Sequence, residues 1–144
     1  MIVHAGLIAA RLGGRWRGVL IEGPSGAGKS DLALRCLDRG FRLVADDRTL
    51  LWTSAGRPFG RAPDPLAGLI EVRGLDVLAE SSLPFCEIVL VARCGEPERI
   101  PDLQTADIVG RELPLITLAA RESSAPAKLS RALARFDGDV NRRM

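Results

Sequence analysis

At 144 residues the chain is one domain by size, with room for a sizeable core. A hydrophobic content of 47% and a charged content of 26% are ordinary for a globular protein, and a net charge of +2 argues against nucleic acid or an anionic membrane as partner. With no Tyr, four Phe and two Trp, there is little for stacking on bases, and no apolar run approaches the ~20 residues that span a bilayer.

The first ten residues are apolar, but no basic segment precedes them, so no signal peptide is expected. Ala5–Leu12 and Trp16–Glu22 read as two strands joined by a Gly13-Gly14 hairpin turn, with Arg11, Arg15 and Arg17 as a solvated rim. Gly18–Glu22 is an apolar run of strand type just before a glycine-rich loop. After that loop, Leu32, Ala33, Cys36 and Leu37 share one helical face, and Gly40 sits where a helix stops.

Phe41–Ala45 reads as a strand ending at Asp46-Asp47, and Thr49–Thr53 as extended chain running to a turn at residues 54–56. Residues 57–68 carry Pro58, Pro63 and Pro65 and read as a loop. Leu69–Arg73 is a short strand, Cys86–Cys94 the clearest buried one, Gly95–Asp102 a charged loop and Leu113–Leu118 a further strand. Ser124 is placed to cap a terminal helix whose apolar face is Leu129, Ala132, Leu133 and Phe136. Residues 137–144 read as a frayed tail. Cys36, Cys86 and Cys94 are odd in number and lack C-x-x-C spacing, which suits structural thiols and a cytoplasmic setting. The alternation predicts an α/β domain spanning 1–144: a P-loop-containing mixed sheet with flanking helices.

The loop itself, Gly23-Pro24-Ser25-Gly26-Ala27-Gly28-Lys29-Ser30, fits G-x-x-x-x-G-K-[ST] without a mismatch. Glycines let the backbone curl so that its N–H groups approach an anion. Lys29 supplies a point charge for β- and γ-phosphates, and the Ser30 hydroxyl can ligate Mg²⁺. The following helix aims its positive end at the same phosphates. ATP and Mg²⁺ are the expected cofactors.

Asp46 and Asp47 close a strand about one βα unit after the loop, where carboxylates hold Mg²⁺ or accept a proton from a hydroxyl nucleophile. Adjacent side chains on extended backbone point opposite ways, so the two are expected to divide those roles. Glu71, in a charged strand of an otherwise apolar chain, reads either as a magnesium ligand or as part of an exposed face. His4, the only histidine, is by itself more often structural than catalytic, and Arg99 alone carries no signal.

These pieces in this order resemble a family. His4, the loop, Ala45-Asp46-Asp47-Arg48 and Ile70-Glu71-Val72-Arg73-Gly74-Leu75 are similar to the catalytic domain of bacterial HPr kinase/phosphorylase. That enzyme acts on a serine of HPr, the small phosphocarrier of the sugar phosphotransferase system. The length resembles a short form without the family's N-terminal domain.

The resemblance implies that Asp47 takes the proton of the acceptor serine, that Asp46 helps hold the metal site, and that Ser30 and Glu71 ligate magnesium. It implies that Lys29 neutralises charge on the transferring group, that His4 belongs to the active site, and that Ile70–Ala79 serves both directions of reaction. Arg99 is the best match for a catalytic arginine. Because the family forms hexamers, homo-oligomerisation is a further expectation.

The chain departs from the pattern at Ala5 and Asp76, where Gly is usual, and around Arg121–Lys128, the segment tied to dephosphorylation. Kinase activity is less touched by these departures than reverse phosphorolysis. Two other readings stand beside this one. A small-molecule P-loop kinase would want an arginine-rich lid, and loops 54–68 and 95–102 are short for that. A nucleotide-switched binding module would not need Asp47, and N-K-x-D is absent.

Overall fold

The chain enters the sheet with β1 (Ile2–Val3) and continues as the hairpin β2 (Ala5–Leu12) and β3 (Arg15–Glu22), with Leu12 opposite Arg15 across the Gly13-Gly14 turn. The structure is a computed structural model and describes residues 1–136; the tail expected at 137–144 lies outside the described residues. There follow α1 (Lys29–Leu37), β4 (Arg42–Ala45), β5 (Thr49–Ser54), β6 (Arg57–Arg61), a single 3-10 turn (Asp64–Leu66), β7 (Leu69–Val72) and β8 (Asp76–Ala79). The described residues close with β9 (Cys86–Cys94), β10 (Gln104–Ile108), β11 (Arg111–Leu118) and α2 (Ala125–Phe136).

Among the described residues, nine strands make one mixed sheet in the order β1-β5-β6-β9-β3-β2-β4, with β11 added to β9 and β10 to β11. β7 and β8 pair only with each other. β9 organises the sheet. One of its edges runs parallel to β3; the other is divided, β6 taking Cys86 and Glu87 and β11 taking Val91–Cys94. Both faces of the sheet are apolar, each with its own core.

One core lies under the helices, where Ile8, Val19, Ile21, Leu43 and Leu90 meet Leu32 and Cys36 of α1 and Leu129 and Leu133 of α2. The other, on the opposite face, joins Leu7, Leu20, Ile88 and Val91 to Leu51, Leu113 and Leu115. Alternation along β3 sorts its residues: Val19 and Ile21 go to the helices and Leu20 to the far core, as a period of two demands. The predicted apolar faces of both helices are the faces that pack, and Ser124 precedes α2, its carbonyl accepting the Lys128 amide at 2.9 Å.

Two expectations need correction, and three strands were not foreseen. Residues 57–68 are not all loop: Arg57–Arg61 is the strand β6, paired with β5. Pro58 is tolerated because it lies outside the Phe59–Gly60 segment that pairs with β9, so its missing N–H costs no ladder bond there. β8 and β10 were not expected, because they are mostly exposed and carry no apolar alternation. β1 has two residues, too few for any periodicity. Finally, Arg17 is not part of a solvated rim: its side chain is 11% exposed and sits 3.6 Å from Glu87, which Arg57 also approaches at 3.2 Å.

Gly60 marks the tightest approach in the far core. A Cβ there would stand 2.7 Å from Leu7 Cδ2 and 2.9 Å from Thr49 Cγ2. Thr49 is fully buried and held by a 2.8 Å hydrogen bond from its hydroxyl to the Ala5 carbonyl, so it has no room to yield. Gly60→Ala is therefore expected to cost about 1–3 kcal/mol through overpacking. Urea titration should show a lower midpoint at unchanged slope; an unchanged midpoint would mean that the β5–β6 hairpin shifts freely.

Candidate active site

Because β3, β4, β9 and β11 all run one way, their carboxyl ends gather at one end of the sheet. Ligand crevices in open α/β sheets form at such an end. Here it collects the loop Gly23–Ser30 after β3, Asp46 and Asp47 after β4, residues 95–103 after β9 and residues 119–124 after β11. His4 joins them because β2, which it precedes, is antiparallel to β3 and β4.

The loop is closed by its own side chains. Gly28 is the N-cap of α1 with left-handed backbone, φ 98°, a conformation natural to glycine. Gly23 must be small for another reason: a Cβ would come within 2.9 Å of Cys94 Cβ. Lys29 Nζ folds back and donates to the carbonyls of Gly23 at 2.8 Å and Pro24 at 3.0 Å. Asp31 in the first turn of α1 and Arg35 in the last form an i,i+4 pair aligned with the helix dipole.

Asp46 joins three elements. Its Oδ1 accepts the Ser30 hydroxyl at 2.6 Å, and its Oδ2 accepts the backbone amide of Glu71 at 2.9 Å. One carboxylate therefore ties the first turn of α1 and the strand β7 to the end of β4. Asp47 next to it is exposed, has φ 66° and makes no hydrogen bond among the described residues through its side chain. The Arg48 amide bonds back to the Asp46 carbonyl at 2.7 Å, a tight turn centred on Asp47. Backbone strain of this kind persists only where its surroundings enforce it, and it clusters at functional sites. Asp47 therefore sits in a left-handed turn and not on the extended backbone expected from the sequence; the Asp46 carboxylate is hydrogen-bonded to two other elements, and that of Asp47 has no hydrogen bond among the described residues.

His4 is exposed in the bend between β1 and β2, on the wall of a cavity of about 340 Å³ that also holds Glu22 and Asp107. Glu22 is paired with Arg93 at 2.8 Å. Glu71 is exposed in β7, and only its amide is engaged. Arg99 leaves from the right end of the sheet but is exposed and makes no hydrogen bond or ion pair among the described residues.

The cation that does touch the loop is Arg121, whose guanidinium donates to the Gly26 carbonyl. Its stem lies 3.5 Å from where a Gly28 Cβ would be. No local spacing connects residue 121 to the loop, so the sequence gives no sign of the contact. Arg35 of α1 donates to the carbonyls of Ala120 and Glu122, fixing the same segment from the other side.

The thiols separate cleanly. Burial pushes Cys36 and Cys86 up to about 12. Cys94 is only half-buried; burial raises its thiol too, while Lys29 and Arg121 nearby oppose the rise.

No group of three or more His, Cys, Asp or Glu is arranged to hold a metal ion among the described residues. The oxygens of Ser30, Asp46 and Glu71 are nevertheless the hard donors that Mg²⁺ takes, and Mg²⁺ commonly completes its shell with substrate phosphates. The residues present fit that ion.

A glycine-rich loop between strand and helix, at the carboxyl end of parallel strands, with a carboxylate on its serine, belongs to the nucleotide-binding class of α/β proteins. Residues 7–83, more than half of the chain, match the family model described as the HPr serine kinase C-terminal domain, and the chain belongs to that family. A relative from Brevibacillus brevis named HPr kinase/phosphorylase is 35% identical over 119 residues, covering 72% of this chain and 38% of the relative. One of the same name from Mycoplasmopsis pulmonis is 42% identical over 89 residues, covering 57% and 29%. The chain thus spans well under half the length of these relatives. The solved structure of the HPr(Ser) kinase/phosphatase from Coxiella burnetii superposes with a TM-score of 0.77 at 25% identity, over 94% of this chain and 88% of that one. Among the described residues no helix is long and apolar enough to cross a membrane.

The Asp46 link is open to direct test. Asp46→Ala leaves the Ser30 hydroxyl and the Glu71 amide without their acceptor. Hydrogen exchange at the Glu71 amide should accelerate by about ten-fold or more, while amides in β9 keep their protection. Unchanged exchange at Glu71 would show that β7 is held by other contacts.

Proposed function

We propose that this domain transfers the γ-phosphoryl group of ATP to a serine hydroxyl of HPr, the phosphocarrier of the sugar phosphotransferase system, in the cytoplasm. The observation that carries the reading is the Ser30–Asp46–Glu71 linkage beside a free Asp47. Ser30 and Asp46 set side-chain oxygens together at the loop, Glu71 being joined to them through its backbone amide, and the exposed Asp47 next to them is an uncommitted base. The names of the relatives support the acceptor and the reaction type.

The chemistry follows from the residues. Loop amides and Lys29 receive the β- and γ-phosphates, Lys29 exchanging the carbonyls of Gly23 and Pro24 for phosphate oxygens. Ser30 and Glu71, with Asp46 behind them, would hold Mg²⁺, which neutralises phosphate charge when bound. Asp47 accepts the proton of the incoming serine hydroxyl. The serine oxygen then bonds to the γ-phosphorus, the bond from that phosphorus to the β,γ-bridging oxygen breaks, and ADP departs. Positioning and charge neutralisation carry most of the acceleration in such transfers. His4 stands at the same end of the sheet. Arg121, in contact with the loop, is better situated than the expected Arg99 to stabilise charge on the transferred group.

The small-molecule alternative loses one of its candidate lids, since Arg57–Arg61 belongs to the sheet. A switch that only binds nucleotide gives no reason for a strained, unpartnered Asp47.

Two variants test the roles separately. Asp47→Asn is nearly isosteric but cannot take the hydroxyl proton. It should abolish transfer of label from ATP to HPr while ATP affinity stays within about two-fold. Robust transfer by this variant would move the proton acceptor to Asp46 or His4. If the reverse reaction exists, phosphate attacks phosphoserine and releases pyrophosphate, and the same variant loses that activity too.

Glu71→Gln should raise the Mg²⁺ concentration needed for half-maximal turnover by about ten-fold. An unaltered magnesium dependence would make Glu71 a surface residue.

A further inference from the structure

Arg121 stands in a turn shaped by short-range bonds. The Glu122 amide donates to the Ala119 carbonyl, and the Ala125 amide to the Glu122 carbonyl, both at 3.1 Å. Arg35 ties that turn to α1. Its Nη1 donates to the Glu122 carbonyl at 3.0 Å and its Nη2 to the Ala120 carbonyl. One planar fork thus grips the backbone on both sides of residue 121. Asp31, one turn earlier in α1, accepts Nε–H at 3.0 Å and sets the plane of the fork.

We propose that Arg35 is a positioning residue for the phosphoryl transfer: by fixing the peptide groups on either side of residue 121, it aims Arg121 at the transferred group. The inference rests on the kinase reading above and adds what makes Arg121 fit for its part in it.

The contacts close a circuit. From Gly26 of the loop it passes through Arg121 to the carbonyls of Ala120 and Glu122, then through Arg35 to α1. It returns to the loop through Gly28, the N-cap of α1. The backbone of residue 121 is therefore referenced to the same helix that carries the loop. The Arg121 side chain is exposed and ends on a carbonyl that a phosphoryl oxygen can replace. A side chain that swings from a fixed backbone loses less freedom on capture than one whose backbone must be ordered as well.

Helix support alone does not explain the geometry of Arg35. Its ion pair with Asp31 uses one of the five N–H donors of a guanidinium, and an exposed pair of this kind stabilises little. The other donors reach across to main-chain carbonyls 85 and 87 residues away. The family resemblance assigns no role to Arg35, and Arg121 opens the stretch in which this chain departs from the family pattern.

Arg35→Gln keeps a long, helix-compatible side chain and removes the fork. Transfer of label from ATP to HPr at saturating ATP is compared in wild type, Arg35→Gln, Arg121→Gln and the double variant. Arg121→Gln should lower kcat about 100-fold, and Arg35→Gln about ten-fold. ATP affinity of Arg35→Gln should stay within about three-fold of wild type. In the Arg121→Gln background, adding Arg35→Gln should lower kcat by less than about two-fold more, because nothing is left to aim. A residue that only supports the fold gives the same loss in both backgrounds, and that result overturns the proposal. A wild-type kcat in Arg35→Gln does so too. If Arg121→Gln keeps a wild-type kcat, the part given to Arg121 fails and the positioning role with it. If the wild-type chain transfers no label, the kinase reading fails and this inference with it.

Arg35→Lys separates aim from folding. It keeps the charge and the aliphatic stem, so the urea midpoint should match wild type. A point donor does not reproduce the fork, so kcat should remain about three-fold low or worse. Full kcat in this variant would show that charge alone acts, and would overturn the clamp.

Discussion

A single carboxylate ties together the parts on which this site depends. Asp46 accepts the hydroxyl of Ser30 with one oxygen and the amide of Glu71 with the other. The first contact fixes the rotamer of the serine that opens α1. The second docks the β7–β8 hairpin, which otherwise has no strand partner outside itself. From the core side the hairpin is anchored by buried Ile70 and half-buried Val72. The two donors take different oxygens, and an isosteric amide would set its NH2 donor against one of them, so it is a poor substitute here.

Around that point the sheet does the positioning. The β2–β3 hairpin delivers the loop at the end where β4, β9 and β11 also terminate, so four connections of quite different sequence meet in one place. The divided edge of β9 is what makes room. Its amino-terminal end is used by β6 to close the far core, and its carboxyl-terminal end by β11 to bring residues 119–124 to the loop.

Much of this was legible in the sequence because it is local. The β2–β3 hairpin follows from Gly13-Gly14 between two apolar runs. The α1 face follows from the spacing of Leu32, Ala33 and Cys36, and the span of β9 from its uninterrupted apolar run. The loop motif is a string of eight residues, and Ser30, Asp46 and Glu71 emerged as a group only through family resemblance.

What was not legible is non-local or exposed. β8 and β10 lie largely in solvent and have no apolar period to betray them. β6 is disguised by Pro58, a residue that usually argues against a strand. Arg121 over the loop and Cys94 beneath it are consequences of tertiary packing. Arg99 was singled out through family resemblance, and a resemblance says nothing about which guanidinium the fold carries back to the glycines.

The cations Lys29 and Arg121 both face backbone carbonyls of the loop. In the free protein both cations already have backbone partners, at Gly23 and Pro24 for one and Gly26 for the other. An arriving polyphosphate does not meet two fully hydrated charges. Under the proposed function it would displace backbone dipoles from them, and those dipoles would return to water at the mouth of the site. Capture of the anion is thus a partner exchange rather than a new pairing. Part of the dehydration of Lys29, which is half-buried, has been completed by folding, while the exposed Arg121 keeps more of its water.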